Sequence, residues 1–404
     1  MGGQYFSQEQ IRALAQPTTS KIILLVLDGL GGLPKPDTGK TELETALLPN
    51  FDKLASKSIC GLSEPVGTGI TSGSAPGHTA LFGYDPVAVN IGRGVLEAVG
   101  IDFPIEQDDV LARGNFCTVD KNGVITDRRA GRISTELNAE LCKLLGMKID
   151  DIQVLTAPVK DYRFVICFRG PGLRDAVTEN DPQHEGLMPL PVTAMSAGAI
   201  KTANIANQFI ERAKKILADK HPANMLLLRG FSRKPEILSM EAIYKLKPAV
   251  VATYPMYRGL ARLVGMTNLP TGTTFADEIK TVKEHYNEFD FFFVHLKALD
   301  AAGEDGDFDR KVKLLEDFDK TLPELLSLNP DVIVVTGDHS TPAMLKGHSW
   351  HTVPTMLYSK YCRPDNVTQF SESGCLGGGL GIFPATQIMP LAMANALKLN
   401  KYGA

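Results

Sequence analysis

Ser74 and His78 stand four residues apart in "GITSGSAPGHTALFGYDP" (69–86), a stretch rich in glycine, serine and proline. A serine hydroxyl is a poor nucleophile until a base or a metal ion favours its alkoxide. Near two cations, a serine on such a loop could attack phosphorus, whereas without them the same loop is only a turn. The loop by itself leaves both interpretations open. The choice between them depends on whether the rest of the chain contains metal ligands.

Acidic residues and a histidine follow three apolar runs, "KIILLVL", "FDFFFVHL" and "DVIVVT". Asp28 follows the first run, Asp300 and Glu304 follow the second, and Asp338 with His339 follows the third. One aspartate after a strand is often only a helix cap. Three strand ends with the same kind of residue favour a metal site, because the carboxyl ends of parallel strands meet at one edge of a sheet. Oxygen and imidazole ligands together suit Mn²⁺ or Zn²⁺, and this number of ligands suffices for two ions.

Histidines elsewhere in the chain receive different interpretations. His348 and His351 lie in "KGHSWHTVP" and add two imidazoles to the candidate ligands. His295 lies inside an apolar run, which is more typical of a core histidine with satisfied hydrogen bonds.

Three apolar runs without alternation predict parallel strands that are covered on both faces. The amphipathic stretch "DRKVKLLEDFDKTLPELLSL" predicts a helix between the second and third strands. A second stretch with helical spacing, "TELETALLPNFDKLASKSI", must be interrupted at Pro49. Strand, helix and strand in succession predict an α/β fold with a doubly wound sheet.

The middle of the chain has a different pattern. Its segments are shorter and include a hairpin signal at Asn122-Gly123, followed further on by the strand "YRFVICFRG" and the helix "IANQFIERAKKILADK". Apolar runs like the first recur only after it. We therefore expect a core built from residues 1–86 and 254–404, with an α+β lobe inserted at 87–253.

The composition excludes several classes of protein. Lys and Arg number 42 against 46 Asp and Glu, and no run of basic residues indicates nucleic-acid binding. The amino terminus lacks the basic opening and continuous apolar region of a signal peptide, and "IILLVL" is far short of a membrane span. The six cysteines are dispersed without a CxxC pair, which indicates reduced thiols. We expect a cytoplasmic protein with a small-molecule substrate and no nucleic-acid or membrane partner.

Five motifs occur in the order typical of the alkaline phosphatase superfamily: "VLDG" (26–29), "GSAPGH" (73–78) with "FGYDP", "DAAGEDGD" (300–307), "TGDHSTP" (336–342) and "HSWHTVP" (348–354). The chain resembles most the archaeal-type, 2,3-bisphosphoglycerate-independent phosphoglycerate mutases. "NIGRGVLEAVG", "RGNFCTVD", "DRRAGRI" and "YPMYRGLARLVGM" also look like that family, so the resemblance spans nearly the whole chain.

The resemblance implies an alkaline-phosphatase-like core and a role for each matching residue. Ser74 stands where the family has its phosphorylated serine, which also contacts a metal ion. Asp28, Asp338 and His339 match the other ligands of the ion nearest that serine. Asp300 and His348 match ligands of a second ion.

Glu304 departs from the family pattern. The family usually has Gly-His-Asp-Gly-Asp where this chain has "GEDGD", so a carboxylate replaces an imidazole. If the segment turns helically, Asp300 and Glu304 point the same way. Two carboxylates and one histidine favour Mn²⁺ or Mg²⁺ over Zn²⁺ or Co²⁺. We therefore expect two divalent ions, with Mn²⁺ as the first candidate and Mg²⁺, Zn²⁺ and Co²⁺ as alternatives.

The inserted lobe is expected to hold the anionic substrate through arginines, whose planar fork suits carboxylate and phosphate. The candidates are Asn115, Arg129, Arg132, Arg163, Arg229 and Arg258.

Three functions remain open at this stage. The first is a mutase that interconverts 3-phosphoglycerate and 2-phosphoglycerate through a phosphoserine at Ser74, in glycolysis or gluconeogenesis. The second is a metal-dependent phosphatase or phosphotransferase of the same superfamily that acts on another phosphorylated small molecule. The third is a degenerate relative that binds ligand without turnover, which only Glu304 favours. A sulfatase is disfavoured because His78 stands where that family has arginine.

Overall fold

The structure is a computed structural model that describes residues 7–89 and 91–403. The chain divides into two compact units, unit 1 from Met1–Asn90 with Ile237–Ala404 and unit 2 from Ile91–Glu236. Strands and helices are numbered along the whole chain. No helix in the described ranges is both long and apolar enough to cross a membrane.

Unit 1 is built on an eight-stranded sheet of order β10-β9-β11-β1-β12-β13-β2-β14. Every neighbouring pair runs parallel except the two that involve β13. The strands are β1 (Ile22–Leu27), β2 (Ile59–Glu64), β9 (Pro248–Ala252), β10 (Thr267–Asn268), β11 (Phe291–Leu296), β12 (Val332–Thr336), β13 (Val353–Ser359) and β14 (Gly381–Pro384). The three apolar runs are β1, β11 and β12, so the prediction that they are parallel strands of one sheet is confirmed.

The helices of unit 1 connect these strands. They are α1 (Gln8–Leu14), α2 (Glu42–Thr45), α3 (Pro49–Ala55), α4 (Ser74–Leu81), α8 (Met240–Tyr244), α9 (Pro255–Leu263), α10 (Phe275–His285), α11 (Ala298–Asp305), α12 (Phe308–Leu326), α13 (Glu372–Leu376) and α14 (Ile388–Asn395). Pro49 separates α2 from α3, as predicted, because proline is favoured in the first turn of a helix and costs a backbone hydrogen bond further inside.

The core of unit 1 explains why its central strands are almost entirely apolar. All six residues of β1 are buried, and so are all of β11 and β12. Helix α12 adds Leu315, Phe318 and Leu322 to the same core, at the spacing of one helix face. Polar side chains are therefore concentrated toward the carboxyl ends of these strands, where β11 includes His295 and β12 includes Thr336.

Unit 2 has its own core and a six-stranded sheet in which all the pairings are antiparallel. Its strands are β3 (Val110–Val119), β4 (Ile125–Asp127), β5 (Met147–Ile149), β6 (Ile152–Lys160), β7 (Arg163–Arg169) and β8 (Met225–Arg233). Its helices are α5 (Arg93–Val99), α6 (Thr135–Leu145) and α7 (Ile200–Leu217). The predicted Asn122-Gly123 hairpin joins β3 to β4.

The boundaries of unit 2 differ from those of the predicted lobe at 87–253. Strand β9 pairs in parallel with β11, so it completes the sheet of unit 1. The structure accordingly places the second boundary at 236 rather than 253. The short apolar run "PAVVA" gives no sign by itself of the sheet to which it belongs.

Candidate active site

The carboxyl ends of three adjacent parallel strands form the candidate site. Strand β1 lies between β11 and β12 in the sheet. Asp28 directly follows β1, Asp300 lies in the first turn of α11 after β11, and Asp338 and His339 follow β12. The structure thus brings these four side chains together, all of them at most 1% exposed.

Asp28, Asp338 and His339 form what we call the first ligand group, in which one ligand atom of each lies within 4.8 Å of the others. His339 Nε2 lies 3.1 Å from Asp338 Oδ2 and 3.5 Å from Asp28 Oδ1. The backbone amide of Gly29, which has a φ of +68°, donates to Asp338 Oδ1 at 3.2 Å. A loop with this glycine therefore holds two strand ends in register.

Asp300 and His348 form the second ligand group, with His339 within the same 4.8 Å. His348 Nε2 lies 3.4 Å from Asp300 Oδ1. His348 Nδ1 lies 2.8 Å from the carbonyl oxygen of Ser72, which can only accept, so Nδ1 carries the hydrogen. This hydrogen bond orients the ring so that Nε2 points at Asp300. Metal-binding histidines are commonly oriented by such a hydrogen bond from their other ring nitrogen.

Ser74 is the first residue of α4, and Gly73 is its N-cap. Its Oγ lies 3.2 Å from His339 Nε2 and accepts a hydrogen bond from the Tyr257 hydroxyl at 3.4 Å. The serine is therefore next to the first ligand group and at a helix N-terminus, where the backbone dipoles favour negative charge.

The donor set fits divalent cations. Both carboxylate oxygens of Asp28 and Oδ2 of Asp338 are buried and have no hydrogen-bond partner within residues 7–89 and 91–403. Buried carboxylate oxygens without partners are costly unless a cation compensates them. Residues that offer carboxylate oxygens and an imidazole at this spacing are those that Mn²⁺ or Zn²⁺ uses.

Neighbouring basic groups keep the site carboxylates ionised. Burial alone would raise the pKa of Asp338, but His339 and His78 outweigh it and hold that pKa well below the usual value. Burial acts the same way on Asp300, and there hydrogen bonding and charge from His348 and Lys297 lower the pKa. Both groups therefore present negative charge at neutral pH.

Glu304 lies at the edge of the site rather than inside it. It is on α11 one turn after Asp300, as predicted, and its Oε1 is 3.9 Å from His348 Nε2. Its side chain is 56% exposed, against 1% for Asp300. No carboxylate oxygen of Glu304 takes part in the two ligand groups identified in the described chain.

His351 lies apart from the ligand groups. Its Nδ1 contacts Ser349 Oγ at 3.0 Å, and its ring stacks on Trp350.

The structure adds four side chains that the motifs did not indicate as site residues. His295 Nε2 lies 3.1 Å from Asp28 Oδ2, and His78 Nδ1 lies 3.2 Å from Asp338 Oδ2. The ring of Tyr257 stacks on His295 at 3.7 Å, and Lys297 Nζ lies 3.4 Å from Asp28 Oδ2 and also contacts Asp300.

His295 is thus a core histidine by burial only, because neither ring nitrogen has a hydrogen-bond partner in the described part of the chain. The expectation of satisfied hydrogen bonds was wrong. Three of these residues had a signal in the sequence: His78 is on the Ser74 loop, and His295 and Lys297 are at the end of the β11 run.

Unit 2 gathers arginines on one face of its sheet. Asn115 on β3 is paired with Arg163 on β7, and Arg113, two residues before Asn115, is paired with Arg229 on β8. Paired residues and residues two apart point to the same face of a sheet. Burial lowers the pKa of Arg113, the carboxylate of Glu97 at 3.3 Å opposes this, and the positive charges of Arg163 and Arg229 lower it further.

The other predicted substrate residues lie elsewhere. Arg129 and Arg132 are exposed around a short 3₁₀ turn (Ala130–Arg132) after β4. Arg258 belongs to unit 1, where it follows Tyr257 on α9 and is half-buried.

The candidate site consists of a serine at a helix N-terminus, two groups of carboxylate and imidazole ligands beside it, and the carboxyl edge of a mostly parallel sheet. This arrangement places the chain in the class of α/β proteins with a candidate metal-assisted nucleophile. A family description for 2,3-bisphosphoglycerate-independent phosphoglycerate mutase matches residues 55–224. Relatives named probable 2,3-bisphosphoglycerate-independent phosphoglycerate mutase include one from Thermotoga maritima, 49% identical over 98% of this chain and 99% of its own. Another, from Thermus thermophilus, is 48% identical over 98% of each chain. This chain belongs to the 2,3-bisphosphoglycerate-independent phosphoglycerate mutase family, whose members are isomerases of the intramolecular phosphotransferase type.

Solved structures agree with this assignment. A cofactor-independent phosphoglycerate mutase from Thermoplasma acidophilum has a TM-score of 0.78 at 31% identity and covers 93% of this chain and 100% of its own. A Pyrococcus horikoshii protein has a TM-score of 0.80 at 29% identity, over 96% and 100%. The predicted α/β core with an inserted α+β lobe and the predicted family are both confirmed.

Proposed function

We propose that this chain interconverts 3-phosphoglycerate and 2-phosphoglycerate without 2,3-bisphosphoglycerate, and that Ser74 carries the phosphoryl group between the two hydroxyls. The observation that carries the proposal is the position of Ser74 Oγ, 3.2 Å from a ligand-group histidine and at the first position of α4. The family relationship supports the substrate, and the geometry supports the role of the serine. A cytoplasmic location and the absence of a nucleic-acid partner stay predictions.

The reaction consists of two phosphoryl transfers. Ser74 Oγ attacks phosphorus, the bond from phosphorus to the substrate's O3 breaks, and the serine's proton ends on the released 3-hydroxyl. The 2-hydroxyl of the retained glycerate then attacks the phosphoserine, the bond from phosphorus to Oγ breaks, and the proton of that hydroxyl ends on Ser74 Oγ. The sum is an isomerisation with no net uptake of water or protons.

Residues around Ser74 prepare its oxygen for both steps. The Tyr257 hydroxyl donates to Oγ, and burial together with Asp28 and Asp338 raises the pKa of this phenol, so it stays protonated. The N-terminus of α4 stabilises negative charge on a phosphoryl group attached at Oγ. These donors act where charge develops during transfer, which is the requirement for electrostatic catalysis.

Asp28, Asp338 and His339 would hold one divalent ion, and Asp300 with His348 and Glu304 would hold a second. When bound, the two ions, Mn²⁺ by our proposal, neutralise charge on the transferring phosphoryl group and favour the ionised form of Ser74. The preference for Mn²⁺ rests on Glu304, since an added carboxylate makes the second group harder than one with two histidines.

The arginine face of unit 2 would bind the carboxylate of phosphoglycerate. Arg163 and Arg229 lie with Asn115 and Arg113 on one side of the sheet, and like charges gathered in this way are stabilised by an anion. Arg129, Arg132 and Arg258 stay candidates for contacts to the same substrate.

One assay separates the mutase from the phosphatase alternative. The Mn²⁺-supplemented protein is given 3-phosphoglycerate without 2,3-bisphosphoglycerate, and 2-phosphoglycerate and inorganic phosphate are followed together. We expect 2-phosphoglycerate to form with little free phosphate. Release of phosphate without 2-phosphoglycerate would reject the mutase and favour a phosphatase.

A further inference from the structure

Thr341 lies between the two ligand groups and contacts both. Its Oγ1 is 2.7 Å from Asp300 Oδ1 and 3.0 Å from His339 Nδ1, and the residue is fully buried. Gly29 makes this contact possible, because a Cβ at that position would lie only 2.6 Å from Thr341 Oγ1. The absence of a side chain at Gly29 therefore leaves the space that the Thr341 hydroxyl occupies.

The hydrogen-bond directions at Thr341 follow from its chemistry. A hydroxyl has one hydrogen to donate, and an ionised carboxylate can only accept. The hydrogen of Thr341 Oγ1 therefore goes to Asp300, and the hydroxyl oxygen must accept from His339 Nδ1. A neutral imidazole with hydrogen on Nδ1 has its lone pair on Nε2.

His339 Nε2 faces the first ligand group, 3.1 Å from Asp338 Oδ2 and 3.2 Å from Ser74 Oγ. We propose that Thr341 is a positioning residue that holds His339 in its Nδ1–H tautomer, makes His339 a ligand of the first group alone, and links it to Asp300 of the second. This inference rests on the proposed function, because it assumes that the two groups bind divalent ions.

The proposal resolves an ambiguity in the geometry. By distance alone His339 belongs to both ligand groups. With Nδ1 occupied by Thr341, only Nε2 can bind an ion, so the second group keeps Asp300 and His348. Glu304, whose Oε1 is 3.9 Å from His348 Nε2, is then the side chain that would complete it.

The backbone of Thr341 is fixed independently of its hydroxyl. Its amide donates to the carbonyl of Gly31 at 3.1 Å, and its carbonyl accepts from Lys311 Nζ at 2.9 Å. Lys311 is fully buried on α12 and also donates to the carbonyl of Gly29 at 2.9 Å. Replacement of the hydroxyl by a methyl group of the same size should therefore leave the loop in place.

The test compares Thr341→Val, which removes the hydroxyl, with Thr341→Ser, which keeps it. Thr355→Val is the matched control, since Thr355 is a buried threonine of the same unit that bonds Thr336 and Ser63 and no ligand residue. Two-bond ¹⁵N–¹H spectra of the metal-free, histidine-labelled full chain report the tautomer of His339, assigned through His339→Gln. Titration calorimetry with Mn²⁺ alone reports affinity and stoichiometry.

We expect an Nδ1–H signal for His339 in the wild-type protein and in Thr341→Ser. Thr341→Val should lose this signal as a single state and bind the first Mn²⁺ about 10–100-fold more weakly, whereas Thr355→Val should bind it normally. An Nε2–H signal in the wild-type spectrum would overturn the proposal even if the valine variant failed to fold. Unchanged Mn²⁺ affinity in a folded Thr341→Val would overturn it too. None of these measurements uses phosphoglycerate, so failure of the mutase assay is distinguishable from failure of this inference.

Discussion

The two ligand groups share one edge of one sheet but differ in burial. The first group, Asp28, Asp338 and His339, is completely enclosed and adjoins Ser74. In the second group His348 is 21% exposed, and Glu304 at the edge of that group is 56% exposed. The first group comes from strands with neighbours on both sides, whereas the second is completed by a helix end and a loop.

This difference in burial indicates which ligand group tolerates substitution of its residues. Removal of a ligand from an enclosed group leaves an uncompensated buried charge, while an exposed position can recruit water instead. We therefore expect the first group to be strict in its chemistry and the second to set the metal preference. Glu304, which the resemblance places where the family has a histidine, lies beside the more exposed group, where a changed ligand costs less.

The largest effect is expected at Ser74, which contacts the first group. Ser74→Ala should lower turnover by about 10⁴-fold or more, since removal of a nucleophile leaves only the contribution of binding. The fold should persist, because a serine at a helix start contributes little packing. Brief exposure to phosphate-labelled 3-phosphoglycerate should label the wild-type protein and not the variant.

Ser72→Ala is the control for this experiment, because its hydroxyl donates to the adjacent Gly73 carbonyl and the variant keeps the backbone contact to His348. Near-normal turnover in Ser74→Ala would mean that the loop serine is only part of a turn.

The second effect tests the strictness of the first group. Asp338→Asn keeps the shape of the side chain and removes its charge, so it should lower kcat/KM by about 10³-fold. It should also abolish binding of one of the two Mn²⁺ ions in calorimetry. If both ions still bound with wild-type affinity, the two groups would not differ as burial indicates.

A smaller effect is expected at Glu304 in the second group. Glu304→Ala should weaken binding of one Mn²⁺ ion about tenfold, and Glu304→His should shift the preference of the activity toward Zn²⁺ or Co²⁺. Asp305→Ala is the charge-matched control, since Asp305 pairs with Arg310 instead. Unchanged metal stoichiometry and turnover in Glu304→Ala would remove this residue from the site.

The smallest effect is expected at a buried carboxyl group outside both ligand groups. It tests whether a buried carboxyl group without neighbouring basic groups loses its charge. Glu278 on α10 is 1% exposed, and burial raises its pKa to about 9. The folded state therefore keeps its proton between pH 4.5 and about 9, where the unfolded state has lost it. The free energy of unfolding should fall as pH rises through this window, by at most about 1.4 kcal/mol per pH unit.

Glu278→Gln removes this titration. Denaturant unfolding at pH 5 and pH 8 should show the variant gaining stability relative to the wild type at the higher pH. Parallel behaviour of the two proteins at both pH values would contradict the assigned cause of the shift.

Local patterns in the sequence were enough to predict the central strands and the residues that follow them. Unalternating apolar runs have few ways to be buried, so β1, β11 and β12 were predicted as parallel strands, and Asp28 and Asp338 were placed at one edge. Helix α12 and the break at Pro49 were also predicted, because helical periodicity and the effect of proline on a helix depend on residues that are close in sequence. The order of the motifs also indicated the family.

Which further side chains reach that edge depends on the packing of distant segments and could not be predicted from local patterns. His295 lies inside strand β11, and Tyr257 lies on helix α9. Neither spacing nor composition in the sequence reveals that their rings stack on each other beside Asp28. The pairing of β9 with β11, which moved the boundary to 236, depends on contacts between residues about 40 positions apart in sequence. The role of Thr341 depends on two distances to residues of different strand ends. Periodicity reports which side of an element is buried, but the partner of a buried polar atom is set by the packing of the whole unit.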